Sequence, residues 1–329
     1  MEEYPVSRPR QYAIPKVTIL VLFYCCTVFA IGAVGAEGPQ QRGENEIGRR
    51  TPESHEYISG SSSVGIPIDI AEGHVVIPLK INGSRELKIA VDSGVPYKGI
   101  DLFHRALLDE LGIKGHADTV SIQGINFFGQ KIICLANEHM EQDPNDGLIG
   151  LTLFSSCVVE IDFDDNLLNL HDPSTFDPGS LGQPLEIVFK NCVPHIRGTL
   201  SEVEGVETDV LLAVDLGMSG GALLLYPDRD ERIRIPEGAV EKVIGRSAAG
   251  EVSGMTSTVS CLKIGGFELE QVPGIYIRKN FFGRKGDGVA GTIGMEILRR
   301  FNLVFDYAGE KIYLAPNSQF GQPYRERNR

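Results

Sequence analysis

Two segments of this chain repeat one pattern: an apolar run ending in aspartate, with glycine two positions on. They read Leu87-Lys88-Ile89-Ala90-Val91-Asp92-Ser93-Gly94 and Val210-Leu211-Leu212-Ala213-Val214-Asp215-Leu216-Gly217. A lone carboxylate beside a buried strand is costly, so a chain that builds this twice is expected to bring the two together. Two facing carboxylates cannot both ionise easily. A proton shared between them lets one act as acid and the other as base.

A second pair of landmarks follows in the same order. Gly147-Leu148-Ile149-Gly150 and Gly291-Thr292-Ile293-Gly294 open segments that align without a gap for 27 residues, at an offset of 144. Each continues through a short apolar, helix-like stretch (151–156 and 295–300) into a strand, Val158 to Phe163 and Asn302 to Tyr307, and closes near Pro173 or Pro316. The aspartate loops align at an offset of 123, so the second half carries about 21 more residues between its landmarks. Repetition in this order indicates a duplicated unit.

The 329 residues are enough for two lobes, and 42% hydrophobic with 23% charged residues describes a globular chain. Thirty-eight glycines, no tryptophan and many Val/Ile clusters point to short strands joined by tight turns. The run Thr119 to Ile133, broken at Gln123-Gly124, reads as a hairpin, and so does Ser257 to Leu269, broken at Gly265-Gly266. Helical pattern is confined to Asp101–Leu111, Pro236–Ile244 and the two short stretches after the glycine landmarks. The expected class is mainly β, in two related lobes. A formal net charge of -13 and the lack of a basic stripe argue against a nucleic-acid partner.

Residues 17–36 form one nearly uncharged apolar stretch preceded by Arg8, Arg10 and Lys16. That is the layout of either a cleaved export signal or an uncleaved membrane anchor. Val34-Gly35-Ala36 suits cleavage before Glu37. Either form would put the rest of the chain outside the cytoplasm, in the periplasm, secreted or tethered to a membrane. The expected organisation is leader 1–36, flexible tether 37–65, first lobe 66–177, second lobe 178–317 and polar tail 318–329. Cys134, Cys157, Cys192 and Cys261 allow three pairings in an oxidising compartment, with one bridge inside each half (Cys134–Cys157, Cys192–Cys261) as the first guess and buried thiols as the alternative. Neither cysteine nor histidine spacing suggests a metal site.

Together these motifs resemble the aspartic peptidase superfamily, pepsin-like and retropepsin-like, and among them bacterial retropepsin-like proteins fused in tandem. The resemblance covers roughly Ile66 to Asn317. It implies two β-barrel-like lobes of the acid-protease fold with the active site between them, and an endopeptidase that activates water with no cofactor. Asp92 and Asp215 take the positions of the catalytic pair. Ser93, Gly94 and Gly217 would support the loops, and Gly150 and Gly294 belong to the bracing elements. The segment Gly124-Ile125-Asn126-Phe127 would be the flap, although no tyrosine marks its tip. A polypeptide would lie extended in the cleft of a monomer.

The departures from the family pattern are specific. Leu216 replaces the hydroxyl residue that Ser93 keeps, and Val95 and Met218 lack the hydroxyl one residue past each glycine. Fewer donors to the carboxylates imply a less acidic optimum than in pepsin-like enzymes. The alternative reading is an inactive peptide-binding or structural envelope protein that retains the fold. Asp162 and Asp306, also paired by the repeat, are assigned to turns.

Overall fold

The computed structural model describes residues 55–324, apart from 71–72, 138–139, 180, 182–183, 204–205, 248–249 and 279–286. The leader and most of the expected tether lie outside the described residues. Among the described residues no helix is long and apolar enough to cross a membrane.

The first half runs β1 (His55–Tyr57), β2 (Ser62–Pro67), β3 (Val75–Ile81), β4 (Leu87–Val91), β5 (Ile100–Leu102), α1 (Arg105–Glu110), β6 (His116–Ile122), β7 (Ile125–Cys134), β8 (Gly147–Ile149), α2 (Leu151–Phe154), β9 (Val158–Asp162) and β10 (Leu167–His171). The second runs β11 (Leu185–Glu186), β12 (Val188–Lys190), β13 (Val193–Val203), β14 (Val206–Val214), β15 (Leu223–Leu225), β16 (Val240–Ser247), β17 (Gly250–Ile264), β18 (Phe267–Tyr276), β19 (Gly291–Ile293), α3 (Met295–Leu298), β20 (Phe301–Asp306) and β21 (Lys311–Pro316).

The duplication is visible in strand order. In the first lobe β4 pairs parallel with β8, β8 antiparallel with β5, and β5 parallel with β7. In the second, β14, β19, β15 and β18 repeat the same senses. These strands lie within a seven-stranded and an eight-stranded sheet. A third sheet, β11-β21-β20-β9-β10-β2, draws strands from both halves, with β9 beside β20 joining them. Ile89, Val91, Ile149, Leu212, Val214 and Ile293 are all fully buried in one continuous core that also includes Phe301 and Phe305 of the shared sheet. Inward-facing Val, Ile and Leu on short strands give this core its cohesion.

Several sequence expectations change. The segment 55–65 is not all tether: β1 pairs with β7 and β2 with β10. Helix occupies only Arg105–Glu110 of the 101–111 stretch, while Asp101 sits in β5. The 236–244 stretch runs into strand β16, which pairs along β17. Tertiary pairing overrides weak helical periodicity there. The tail is docked as far as Tyr324. Phe320 packs against Phe267 and Phe301, and the Arg300 guanidinium stacks 3.9 Å from the Tyr324 ring centroid while donating to the Gln319, Phe320 and Gln322 carbonyls. Cys134, Cys157, Cys192 and Cys261 stand as thiols, so the guessed bridges are not formed.

Candidate active site

Asp92 and Asp215 begin their loops where β4 and β14 end, each tied by its backbone to the neighbouring parallel strand. The Asp92 N–H donates to the Ile149 carbonyl at 2.9 Å, and the Asp215 N–H to the Ile293 carbonyl at 3.0 Å. The parallel strand carrying each glycine landmark therefore fixes where each carboxylate emerges. The two side chains are 2% and 5% exposed and come together at the seam between the lobes, each against the glycine of the opposite loop.

Glycine is required at this seam by space. A Cβ on Gly217 would lie 2.7 Å from Asp92 Oδ1 and nearer still to Oδ2, and one on Gly94 would lie 3.0 Å from Asp215 Oδ1. Both glycines instead offer N–H groups. The Gly94 N–H donates to Asp92 Oδ1 at 2.7 Å, and the Gly217 N–H to Asp215 Oδ1 at 2.8 Å, with Met218 N–H adding a weaker bond at 3.2 Å. Gly150 and Gly294 sit directly behind these loops. A Cβ at Gly150 would collide with the Asp92 carbonyl and Val95, and one at Gly294 would come within 2.6 Å of the Gly221 carbonyl.

The link between the loops is one-sided. The Ser93 hydroxyl donates to the Val214 carbonyl at 2.8 Å and accepts from the Leu216 N–H at 3.0 Å. Leu216 is fully buried in the main core and cannot return a hydroxyl contact. Two hydrogen bonds of about 1 kcal/mol each, net, thus make the side-chain tie from Ser93.

Burial pushes the Asp92 carboxyl up, to about 6. The Gly94 N–H, the Asp215 carboxyl and the Gly217 N–H oppose this by favouring its charged form. A carboxylate that accepts from a neighbouring carboxyl is one half of a pair holding a single proton. Such a pair can take a proton from one bound group and give one to another.

The expected flap lies elsewhere. Its turn is pinned to the N-terminal strands: Ser63 Oγ bonds to the Gln123 carbonyl, and the Ile58 N–H donates to the Gly124 carbonyl at 2.9 Å. Ile125 and Phe127 are fully buried, and Asn126 bonds to Ser121. Because β2 belongs to the shared sheet, this hairpin end is a structural junction and is not free to cover the carboxylates. Asp162 and Asp306 accept from turn N–H groups, at Asp164, Asp165 and Gly309. Buried Ser219, four residues past Asp215, packs beside Gly73 of the first lobe.

Two groups beside Asp92 carry no motif. Asp101, 1% exposed, accepts from the Tyr97 hydroxyl at 2.5 Å, and burial raises its carboxyl to about 7. The signal available in sequence was positional: Asp101 aligns with Leu224 at the offset of the aspartate loops, an acid where the other copy has an apolar side chain.

This is the fold of the aspartic proteinases. The structure is similar to the crystal structure of aspartic proteinase from Irpex lacteus, with a TM-score of 0.53 at 14% identity, covering 80% of this chain and all of that one. Residues 201–297 match the aspartyl protease family model, a span that includes Asp215 and Gly294. The comparison with curated proteins gave no match. The match of residues 201–297 to the aspartyl protease family and the shared fold support a relationship to the aspartic peptidases and a protease-type function.

Proposed function

We propose that the protein is an aspartic endopeptidase in which Asp92 and Asp215 hold one water and one proton between them. The observation that carries this reading is that two buried carboxyls meet at the seam, each lying against the glycine of the opposite loop and accepting from the glycine N–H of its own. In this scheme the ionised carboxylate takes a proton from water as its oxygen bonds to the peptide carbonyl carbon. The protonated partner donates to the developing oxyanion. Collapse of the tetrahedral intermediate breaks the C–N bond, and the leaving nitrogen takes the proton gained from water.

The substrate is a polypeptide lying extended between the lobes, bonded to strand edges as an added strand. The enzyme works as a monomer. The apolar stretch 17–36 supports export, as a cleaved signal or as a membrane tether.

A second reading, a peptide-binding protein without turnover, is favoured by one observation: the missing hydroxyl at Leu216, which leaves the carboxylate geometry held from one side. Digestion of an unfolded protein by wild type, Asp92→Asn and Asp215→Asn, followed by mass spectrometry, separates the two. The endopeptidase reading expects internal cuts by wild type alone. Wild type that binds peptides and cuts none would leave the second reading standing.

A further inference from the structure

The first-lobe face beside Asp92 carries a polar pair that the hydrolytic scheme does not use. Along β4, Ile89 and Val91 enter the main core while Ala90 faces a smaller cluster with Val95, Phe103, Met140 and Leu148. Leu148 of β8 lies beside Ala90, and Asp101 of β5 lies beside Leu148. The corresponding row in the second lobe is Ala213, Thr292 and Leu224. Asp101 and Leu224 are equally buried, at 1% exposed each.

The fold is thus built at this position with leucine in one lobe and aspartate in the other. An acid here is not needed for packing, and burying it costs stability. Asp101 Oδ2 accepts from Tyr97, while Oδ1 is buried without a hydrogen-bond partner among the described residues. Tyr97 lies five residues past Asp92, in the connection from that carboxylate to β5, and packs half-buried against the same apolar cluster.

The charge of Asp92 reaches both members of the pair, and that of Lys131 reaches Asp101 and offsets part of the effect. Burial, then Asp101, then Asp92 hold the Tyr97 phenol in its protonated form. Its proton is committed inward to Asp101. A hydroxyl bonded in this way keeps its lone pairs for any outside partner, so it acts as an acceptor. Above about pH 7, where Asp101 is ionised, its charge favours a cationic donor.

We propose that Tyr97, oriented by Asp101, is a specificity-determining residue of the cleft: it accepts a hydrogen bond from a cationic side chain, lysine or arginine, next to the bond that is cut, on the first-lobe side. This rests on the peptidase reading for its setting. Asp101 is here a positioning residue acting through Tyr97.

The test uses peptide pairs alike except for lysine or norleucine at each position flanking the cut, with wild type, Tyr97→Phe, Asp101→Asn and Asp101→Leu. At one position wild type is expected to favour lysine about tenfold in kcat/KM, the worth of one charge-assisted hydrogen bond. The preference should reside in KM, and the ratio should fall to about 1 in Tyr97→Phe and in Asp101→Leu. Asp101→Asn, which can still accept from Tyr97, should retain part of it. Leucine already fills the equivalent place in the second lobe, so Asp101→Leu is expected to fold, as circular dichroism would report.

Equal use of both peptides by wild type, or a lysine preference that survives Tyr97→Phe, would overturn the inference and leave the peptidase reading intact. Equilibrium binding of the same pairs gives the converse. Tyr97-dependent preference for the lysyl peptide without cleavage would keep the inference and end the peptidase reading. Neither binding nor cleavage of any pair would overturn both.

Discussion

Replacing Asp101 with leucine should stabilise the protein above neutral pH by an amount set by the burial of its carboxyl. In the folded chain that carboxyl titrates at about 7, against 3.8 for the free side chain. For a carboxyl raised on folding, the favourable contribution is fully present below pH 3.8 and is lost as pH rises through 7. The shift of roughly three units, at about 1.4 kcal/mol each, amounts to on the order of 4 kcal/mol between pH 4 and 8. The charged or titratable groups acting on Asp101 are Tyr97 in its own loop, Asp92 at the end of β4 and Lys131 on β7.

Whole-protein stability alone will not display this trend. His74 and His195, buried and lowered to about 4 from 6.5, contribute stability that is lost as pH falls over much of the same window. The difference between wild type and Asp101→Leu cancels those histidine contributions. Urea denaturation at unit steps from pH 4 to 8 supplies the free energies, with equal m-values as the check on two-state behaviour. The expected result is a gap that widens in favour of the variant as pH rises. Repeating the series in an Asp92→Asn background isolates the coupling to Asp92. Parallel curves, with a gap independent of pH, would refute the assignment of a buried, raised carboxyl at Asp101.

Three further outcomes follow from the site. Ser93→Ala removes both side-chain bonds across the seam. It should cost about 2 kcal/mol of stability and at least tenfold in kcat, by denaturation and peptide kinetics, with KM changed less. Gly217→Ala puts a Cβ against Asp92 and should abolish turnover while the β-rich circular dichroism spectrum persists. The raised Asp92 carboxyl should place one limb of the pH–rate profile near 6, and a maximum near pH 2 would contradict it.

Much of the site could be read in the sequence because duplication converts weak motifs into a pair. Neither Asp92-Ser93-Gly94 nor Leu148-Ile149-Gly150 carries much alone, but each recurs in the same order, and the parallel β4–β8 and β14–β19 pairings explain why the two landmarks must co-occur. The one-sided Ser93 tie was legible too, since Leu216 has no hydroxyl to offer. What local pattern hid was long-range. The end of the Gly124 hairpin is fixed by Ser63 and Ile58, some 60 residues away in sequence, so a flap-like local pattern becomes a junction with the shared sheet. Residues 236–244 carried a weak helical period that pairing with β17 overrode, and the 318–324 tail docks through Arg300 acting as a multiple donor. Tyr97 and Asp101 belong to no motif, and only the mismatch of Asp101 with Leu224 in the second copy points to them.

The most direct test of the central claim is the fate of solvent oxygen in one turnover. A peptide cut in ¹⁸O-water should give a new carboxyl terminus bearing one solvent oxygen, with no hydroxamate when hydroxylamine is present. Both Asp92→Asn and Asp215→Asn should leave the peptide intact. Capture of a hydroxamate, or cleavage that persists in either variant, would contradict direct attack by a water held between the two carboxyls.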